Sequence, residues 1–189
     1  MDKLFQAIAK YVRISDAFQE ALTQRVRQQV FRKKELILDA AQVCRNSYFI
    51  ESGILRLYYL KDGREISEFF SSENDWMNSP RSFMQQKTDV YYIDAIEDST
   101  VLSLNIRDLG YLFDHFPEME TYARMDMGST FGYMLERLTS MRFSSAKEKY
   151  AHFLQTYPHI YHRIPLGMAA SYMGITQETL SRLRKAPII

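Results

Sequence analysis

The sequence predicts an α+β protein: two short helices, then a β-sandwich or barrel, then a helical C-terminal half. Three observations predict it. Short runs rich in β-branched and aromatic residues, separated by turn formers, fill residues 31–105. Beyond residue 105 the strand signal stops and apolar residues recur at helical spacing. With 46% apolar residues among 189, the chain can bury a sizeable core, which excludes a disordered polymer.

Over residues 3–29 the apolar positions fall into two helical sets, Leu4, Ala7, Ile8 and Tyr11, then Phe18, Leu22 and Val26. Strands are expected at 36–38 (LIL), 48–50 (YFI), 54–59 (ILRLYY), 66–70 (ISEFF), 91–95 (YYIDA) and 100–104 (TVLSL). The clearest hairpin lies at 59–64 (YLKDGR), where Asp62 and Gly63 supply the positive φ angles of a two-residue turn. Alternation should send one member of each pair Tyr58/Tyr59, Phe69/Phe70 and Tyr91/Tyr92 into the core. Pro117 suits the first turn of a long helix over 117–142, with His115 at the end of the element before it. Within that helix Met127, Phe131, Met134, Leu138 and Met141 are spaced 4, 3, 4, 3. Such a seam serves equally a helix laid on its own domain and one paired with a copy of itself. Ser145 and Glu148 form a capping-box pattern, so a new helix starts there.

Charge is unevenly distributed. Residues 137–189 hold eight basic and two acidic side chains, a net +6, and the remainder carries −5. A basic end on an acidic body is the asymmetry expected when one end meets a polyanion. The lone cysteine, Cys44, excludes a disulfide framework and a cysteine-held zinc or iron–sulfur site, and reads as a buried thiol. No run of eighteen apolar residues and no secretory start is present, so the expectation is a cytoplasmic protein with no membrane partner.

The segment 166–185 (LGMAASYMGITQETLSRLRK) fits a helix-turn-helix position by position. Ala170 is small where two helices would cross, and Gly174 sits at the turn. Ile175, Leu180 and Leu183 hold the second helix on the first, and Thr176 caps it. Gln177, Glu178, Ser181 and Arg182 are then left on the outer N-terminal half, where a recognition helix meets base edges. Gln can pair with adenine, Glu can accept from cytosine and Arg can fork onto guanine. Arg184 and Lys185, with Arg142, Lys147 and Lys149, are the phosphate-contact candidates. A plain helical hairpin with a solvated face would share the polar pattern, but not the Ala, Gly and basic-tail combination.

Taken with this order of elements, residues 97–104 (EDSTVLSL) and 174–185 (GITQETLSRLRK) resemble the Crp/Fnr transcription regulators, in particular short members common in Bacteroidetes. The resemblance implies an N-terminal double-stranded β-helix (jelly-roll, cyclic-nucleotide-binding-like) sensor domain over 1–116, a long dimerisation helix over 117–142, and an all-α helix-turn-helix domain over 143–189. It implies a homodimer on double-stranded DNA, with Met127, Phe131, Met134, Leu138 and Met141 in the dimer interface and Gln177, Glu178 and Arg182 reading bases.

The sensor departs from its relatives. Nucleotide-binding members carry a Gly-Glu pair after an Asp-aromatic phrase and, later, an arginine for the cyclic phosphate. Here Asn78 and Ser79 replace the pair, and Asp89 falls near the arginine's place, where a carboxylate repels phosphate. Arg81 and Lys87 lack the family spacing. Cyclic AMP is therefore not expected to bind, which leaves another small-molecule effector or none, with Trp76, Asn78, Ser79, Phe83 and Met84 as candidate contacts. No cofactor is implied. His152, His159 and His162 do not share a helical face, so no metal site is expected. An enzyme on the β-unit would need clustered ligands or a nucleophile set, but no histidine precedes His115, so no catalytic residue is assigned. A DNA-independent interaction protein is the alternative, because the chain closes after Lys185 with residues 186–189 (APII) and lacks wing strands.

Overall fold

Two four-stranded antiparallel sheets stack face to face, and helices cover the outer face of each. The computed structural model describes residues 1–185, apart from the Phe143 side chain. Expectations about residues 186–189, including the missing wing strands and the end of the 143–189 unit, lie outside the described residues.

Helices α1 (Asp2–Ala9) and α2 (Asp16–Arg25) open the chain, the second capped by the Ser15 hydroxyl. Strands β1 (Arg27–Phe31), β2 (Leu36–Leu38), β3 (Asn46–Ser52), β4 (Leu55–Lys61), β5 (Arg64–Ser71) and β6 (Trp76–Met77) follow. After α3 (Pro80–Gln85) come β7 (Tyr91–Ala95) and β8 (Ser99–Asn105). The remaining elements are helical: α4 (Ile106–His115), α5 (Pro117–Phe143), α6 (Ala146–Thr156), α7 (Leu166–Met173) and α8 (Gln177–Lys185). The sheets have orders β1-β8-β3-β6 and β2-β7-β4-β5. Asp62 (φ 52°) and Gly63 (φ 72°) make the β4–β5 turn, with Lys61 opposite Arg64, as the residue pair requires.

Two corrections to the sequence reading concern the edges. Residues 27–31 form strand β1, where the helical set was expected to reach residue 29 and the first strand to start at 36; its polar, mostly exposed residues pair with β8 alone at the sheet edge and carry no apolar alternation. The two-residue β6 and the short α3 that follows it were not expected, being too short to show a period.

Strand alternation divides the interior into three cores. Tyr48, Ile50, Leu55, Leu57, Met77, Phe83, Ile93 and Val101 fill the space between the sheets. Phe49, Leu102 and Leu104 point the other way, onto Leu4, Ile8, Phe18 and Leu22 of α1 and α2 and onto Met119 and Tyr122 of α5. On the far sheet Phe70, with Ile54 and Ile96, packs against Tyr150, Phe153, Tyr157, Ala169, Tyr172 and Leu180 of the C-terminal helices. Arg56, only 2% exposed, lies on that outer face. Asp94 receives it in a two-pronged contact (2.9 and 2.6 Å), Glu65 lies at 2.8 Å, and its guanidinium covers the Tyr58 ring.

Candidate nucleic-acid interface and sensor site

The C-terminal motif folds as its spacing requires. Gly174 takes the left-handed conformation (φ 64°) at the end of α7, and its amide and that of Ile175 close the turn onto Ser171 and Ala170 carbonyls. Ala169 and Ala170 are buried at the crossing, and Leu180 anchors α8. The Thr176 hydroxyl accepts from the Thr179 amide (3.1 Å), which caps α8. Because α8 buries Leu180 and packs Ile175 and Leu183, its opposite face is left to solvent. Thr176, Gln177, Glu178, Arg182, Arg184 and Lys185 are exposed and Ser181 is half-buried; of these, Glu178, Arg182 and Lys185 lie opposite Leu180. Arg182 forms an ion pair with Glu178, one turn earlier on the same face. Gln177 leans back over Gly167, where an added Cβ would meet its Nε2 at 2.8 Å.

Not all of the C-terminal positive charge is available to a polyanion. Arg163 binds Glu73 (3.0 and 2.8 Å) and also Glu97, while Arg137 pairs with Glu68 and lies over the Tyr172 ring. Both arginines join the helical part to turns and strands of the roll. The Ser67 amide donates to Ser171 Oγ (3.1 Å) and the Phe70 amide to the Tyr157 hydroxyl (3.4 Å) across the same junction. Sequence reasoning missed this seam, since the pairs span sequence separations of 66 to 104 residues and leave no local pattern. Among the described residues, Arg142, Lys147, Lys149, Arg184 and Lys185 enter no ion pair.

The junction has a pH signature. Burial alone raises the Glu73 pKa, but hydrogen bonds from Arg163 and the Gly53 amide outweigh it and hold the group down to about 2, against 4.5 for a free glutamate. A pKa lowered in the folded state contributes stability above the unfolded value, and that contribution is lost as pH falls through the folded one. Arg163→Gln is therefore expected to be less stable at neutral pH. Between pH 4.5 and about 2 its loss of stability should be flattened, because the hydrogen bonds and charge of Arg163 no longer hold Glu73 down. Urea titrations at several pH values check this; parallel wild-type and variant curves would contradict it.

On α5 the predicted seam is open to solvent. Met127 is 58% exposed, Phe131 62%, Met134 44%, Leu138 48% and Met141 37%. Met141 reaches the turn between α7 and α8, its Cε lying 2.9 Å from where a Cβ on Gly174 would sit.

The five effector candidates do not converge. Phe83 is buried in the core between the sheets, and Met84 next to it points to solvent at 66% exposure. Trp76 belongs to the opposite face of its strand from Met77: it packs on Phe49 and donates from Nε1 to the Tyr122 hydroxyl (2.8 Å). It therefore shares no pocket with Phe83. Asn78 donates to Ser47 Oγ (3.0 Å), and buried Ser79 donates to Asp89. Asp89 is held by Arg81 from α3. Cys44 is buried beneath this segment, where desolvation raises its pKa against hydrogen bonds with Ser79 and Asn46. Among the described residues no group of three His, Cys, Asp or Glu side chains is placed to hold a metal ion, and no helix is long and apolar enough to cross a membrane.

Residues 28–116 match the cyclic nucleotide-binding domain family. No curated protein matches the chain in sequence. Among solved structures, a CooA mutant from Carboxydothermus hydrogenoformans is 19% identical with a TM-score of 0.71, over 94% of this chain and 80% of that one. The c-di-GMP responsive global regulator CLP from Xanthomonas campestris is 11% identical with a TM-score of 0.72, over 90% of each chain. A transcriptional regulator of the Crp/Fnr family from Eubacterium rectale is 18% identical with a TM-score of 0.68, over 90% of this chain and 82% of that one. The resemblance read from the sequence is borne out to this extent: residues 28–116 match the cyclic nucleotide-binding domain family, and the solved structures of similar fold include a transcriptional regulator of the Crp/Fnr family.

Proposed function

We propose that the chain is a homodimeric, DNA-binding transcription regulator of the Crp/Fnr type whose sensor domain no longer takes a cyclic nucleotide. Its parts are the sensor (1–116), the dimerisation helix (117–142) and the helix-turn-helix unit (143–189). The observation that supports the reading is the N-terminal half of α8, where Gln177, Glu178 and Arg182 are exposed on a helix anchored by Leu180. An exposed i,i+4 pair such as Arg182–Glu178 contributes only about 0.3–0.5 kcal/mol, so Arg182 can leave Glu178 for a guanine at little cost. Glu178 is then free to accept from a cytosine amine. Thr176 and Ser181 flank this set; Arg142, Lys147, Lys149, Arg184 and Lys185 supply the sequence-independent attraction to phosphates.

Two copies joined along α5 would present two recognition helices, and a two-fold protein reads a palindrome. Enrichment of duplexes from a random pool by the purified protein tests the reading. It is expected to recover an inverted repeat with half-sites about one helical turn apart, roughly 34 Å; recovery of no motif would count against it.

The sensor part of the proposal rests on Asn78 and Ser79, which offer no carboxylate for a ribose, and on Asp89, which offers no cation for a phosphate. Titration calorimetry with cyclic AMP is expected to show no saturable heat up to about 1 mM. Micromolar binding would overturn this part alone, and the reading of α8 would stand.

A further inference from the structure

Asp89 is the best-satisfied carboxylate in the sensor. Its Oδ1 accepts from Arg81 Nη2 (2.5 Å) and from the Val90 amide (2.6 Å), and its Oδ2 accepts from Arg81 Nε (3.2 Å) and Ser79 Oγ (3.4 Å). Four donors thus surround one small anion. The Asp89 side chain is 2% exposed and Ser79 is fully buried, whereas the Arg81 side chain is 61% exposed. A guanidinium fork with a hydroxyl and a backbone amide is the donor set that suits a phosphate as well as a carboxylate.

The frame around Asp89 is built without it. Ser82 Oγ donates to the Lys87 carbonyl (2.5 Å), and Gln86, left-handed at φ 51°, donates from Nε2 to the Cys44 and Phe83 carbonyls (3.1 and 2.7 Å). Ser82 Oγ also accepts from the Cys44 amide (2.9 Å), which ties α3 to the interior of the roll. Removing the Asp89 side chain therefore takes away the anion while α3, which carries Arg81, stays tied to the roll through Ser82 and Gln86.

We propose that Asp89 is a built-in ligand: its carboxylate fills an anion seat made by the Arg81 guanidinium, the Ser79 hydroxyl and the Val90 amide, and the emptied seat takes a phosphate group. The roll closes on its own chain where a relative would close on a nucleotide phosphate. That placement rests on the proposed loss of cyclic-nucleotide binding, but the seat does not, and its test involves no DNA.

The test compares melting of full-length wild type, Asp89→Ala and Asp89→Ala with Arg81→Ala, in inorganic phosphate and in sodium chloride of equal ionic strength. Asp89→Ala is expected to melt below wild type in chloride. Its Tm should climb by about 3–6 °C in phosphate at ten times half-saturation. Wild type, with the seat filled, and the double variant, without the fork, should respond to phosphate no more than to chloride. A parallel series with cyclic AMP tells a seat open to a nucleotide phosphate from one that takes free phosphate only; stabilisation by either supports the seat. Should Asp89→Ala not fold, Asp89→Ser replaces it, since the smaller side chain also leaves the seat open. The proposal is overturned if neither anion stabilises the single variant above the double, or if neither single variant melts cooperatively even in phosphate.

Discussion

Replacing Phe131 and Met134 together by glutamate is expected to halve the particle mass in light scattering, from a dimer to single chains of 22.3 kDa. The seam Met127, Phe131, Met134, Leu138 and Met141 lies open on α5, so its apolar surface remains to be removed from water. Completing the burial of such side chains is worth about 1–2 kcal/mol each, and two-fold symmetry counts every one twice. Four glutamates in that seam would be desolvated facing one another, a cost of several kcal/mol that weakens dimerisation by about 10³-fold or more. Phe131 and Met134 are the informative choice because Met141 also touches the turn at Gly174. DNA affinity should fall with the dimer, by about 10²–10⁴, since the second half-site would no longer be reached intramolecularly. An unchanged mass would show that the seam is not the dimer contact.

Arg182→Ala and Lys185→Ala are expected to fail differently. Loss of a bidentate guanine contact costs about 1–3 kcal/mol per half-site on the matching operator, and a two-fold complex loses it twice. Binding should then drop by about 30-fold to 10⁴-fold on the operator and little on random duplex. Lys185→Ala removes a phosphate contact, so both duplexes should weaken together, and the slope of log K against log salt should fall by about 1 for each copy. Equal weakening of both duplexes by Arg182→Ala would remove its base-reading role.

Local chemistry made much of this molecule legible in its sequence. The Asp62-Gly63 turn, the Ser145–Glu148 capping box and Gly174 each encode their conformation within a few residues, and all three form as expected. Aromatic alternation was legible for the same reason: Tyr59 and Tyr91 make an edge contact on one sheet face, and Tyr58 and Tyr92 stack on the other. Strand β1 was obscured because an edge strand needs no buried face, and Trp76 was misplaced because a two-residue strand shows no alternation. The Arg163–Glu73–Glu97 and Arg137–Glu68 pairs lay beyond reach, since nothing near any of these residues in sequence marks its partner. For the same reason the charge count overstated the basic tail, two of whose arginines neutralise the roll rather than face outward.

Sequence-specific DNA binding by two copies of the chain is tested by a mobility-shift titration of wild-type protein against an operator selected from random duplexes and a scrambled duplex of equal length, over several salt concentrations. The proposed function predicts two chains per operator, with affinity at least about 10³-fold above the scrambled duplex. It also predicts a log–log salt slope set by the phosphate contacts of both copies. Failure to shift either duplex even at low salt would contradict it.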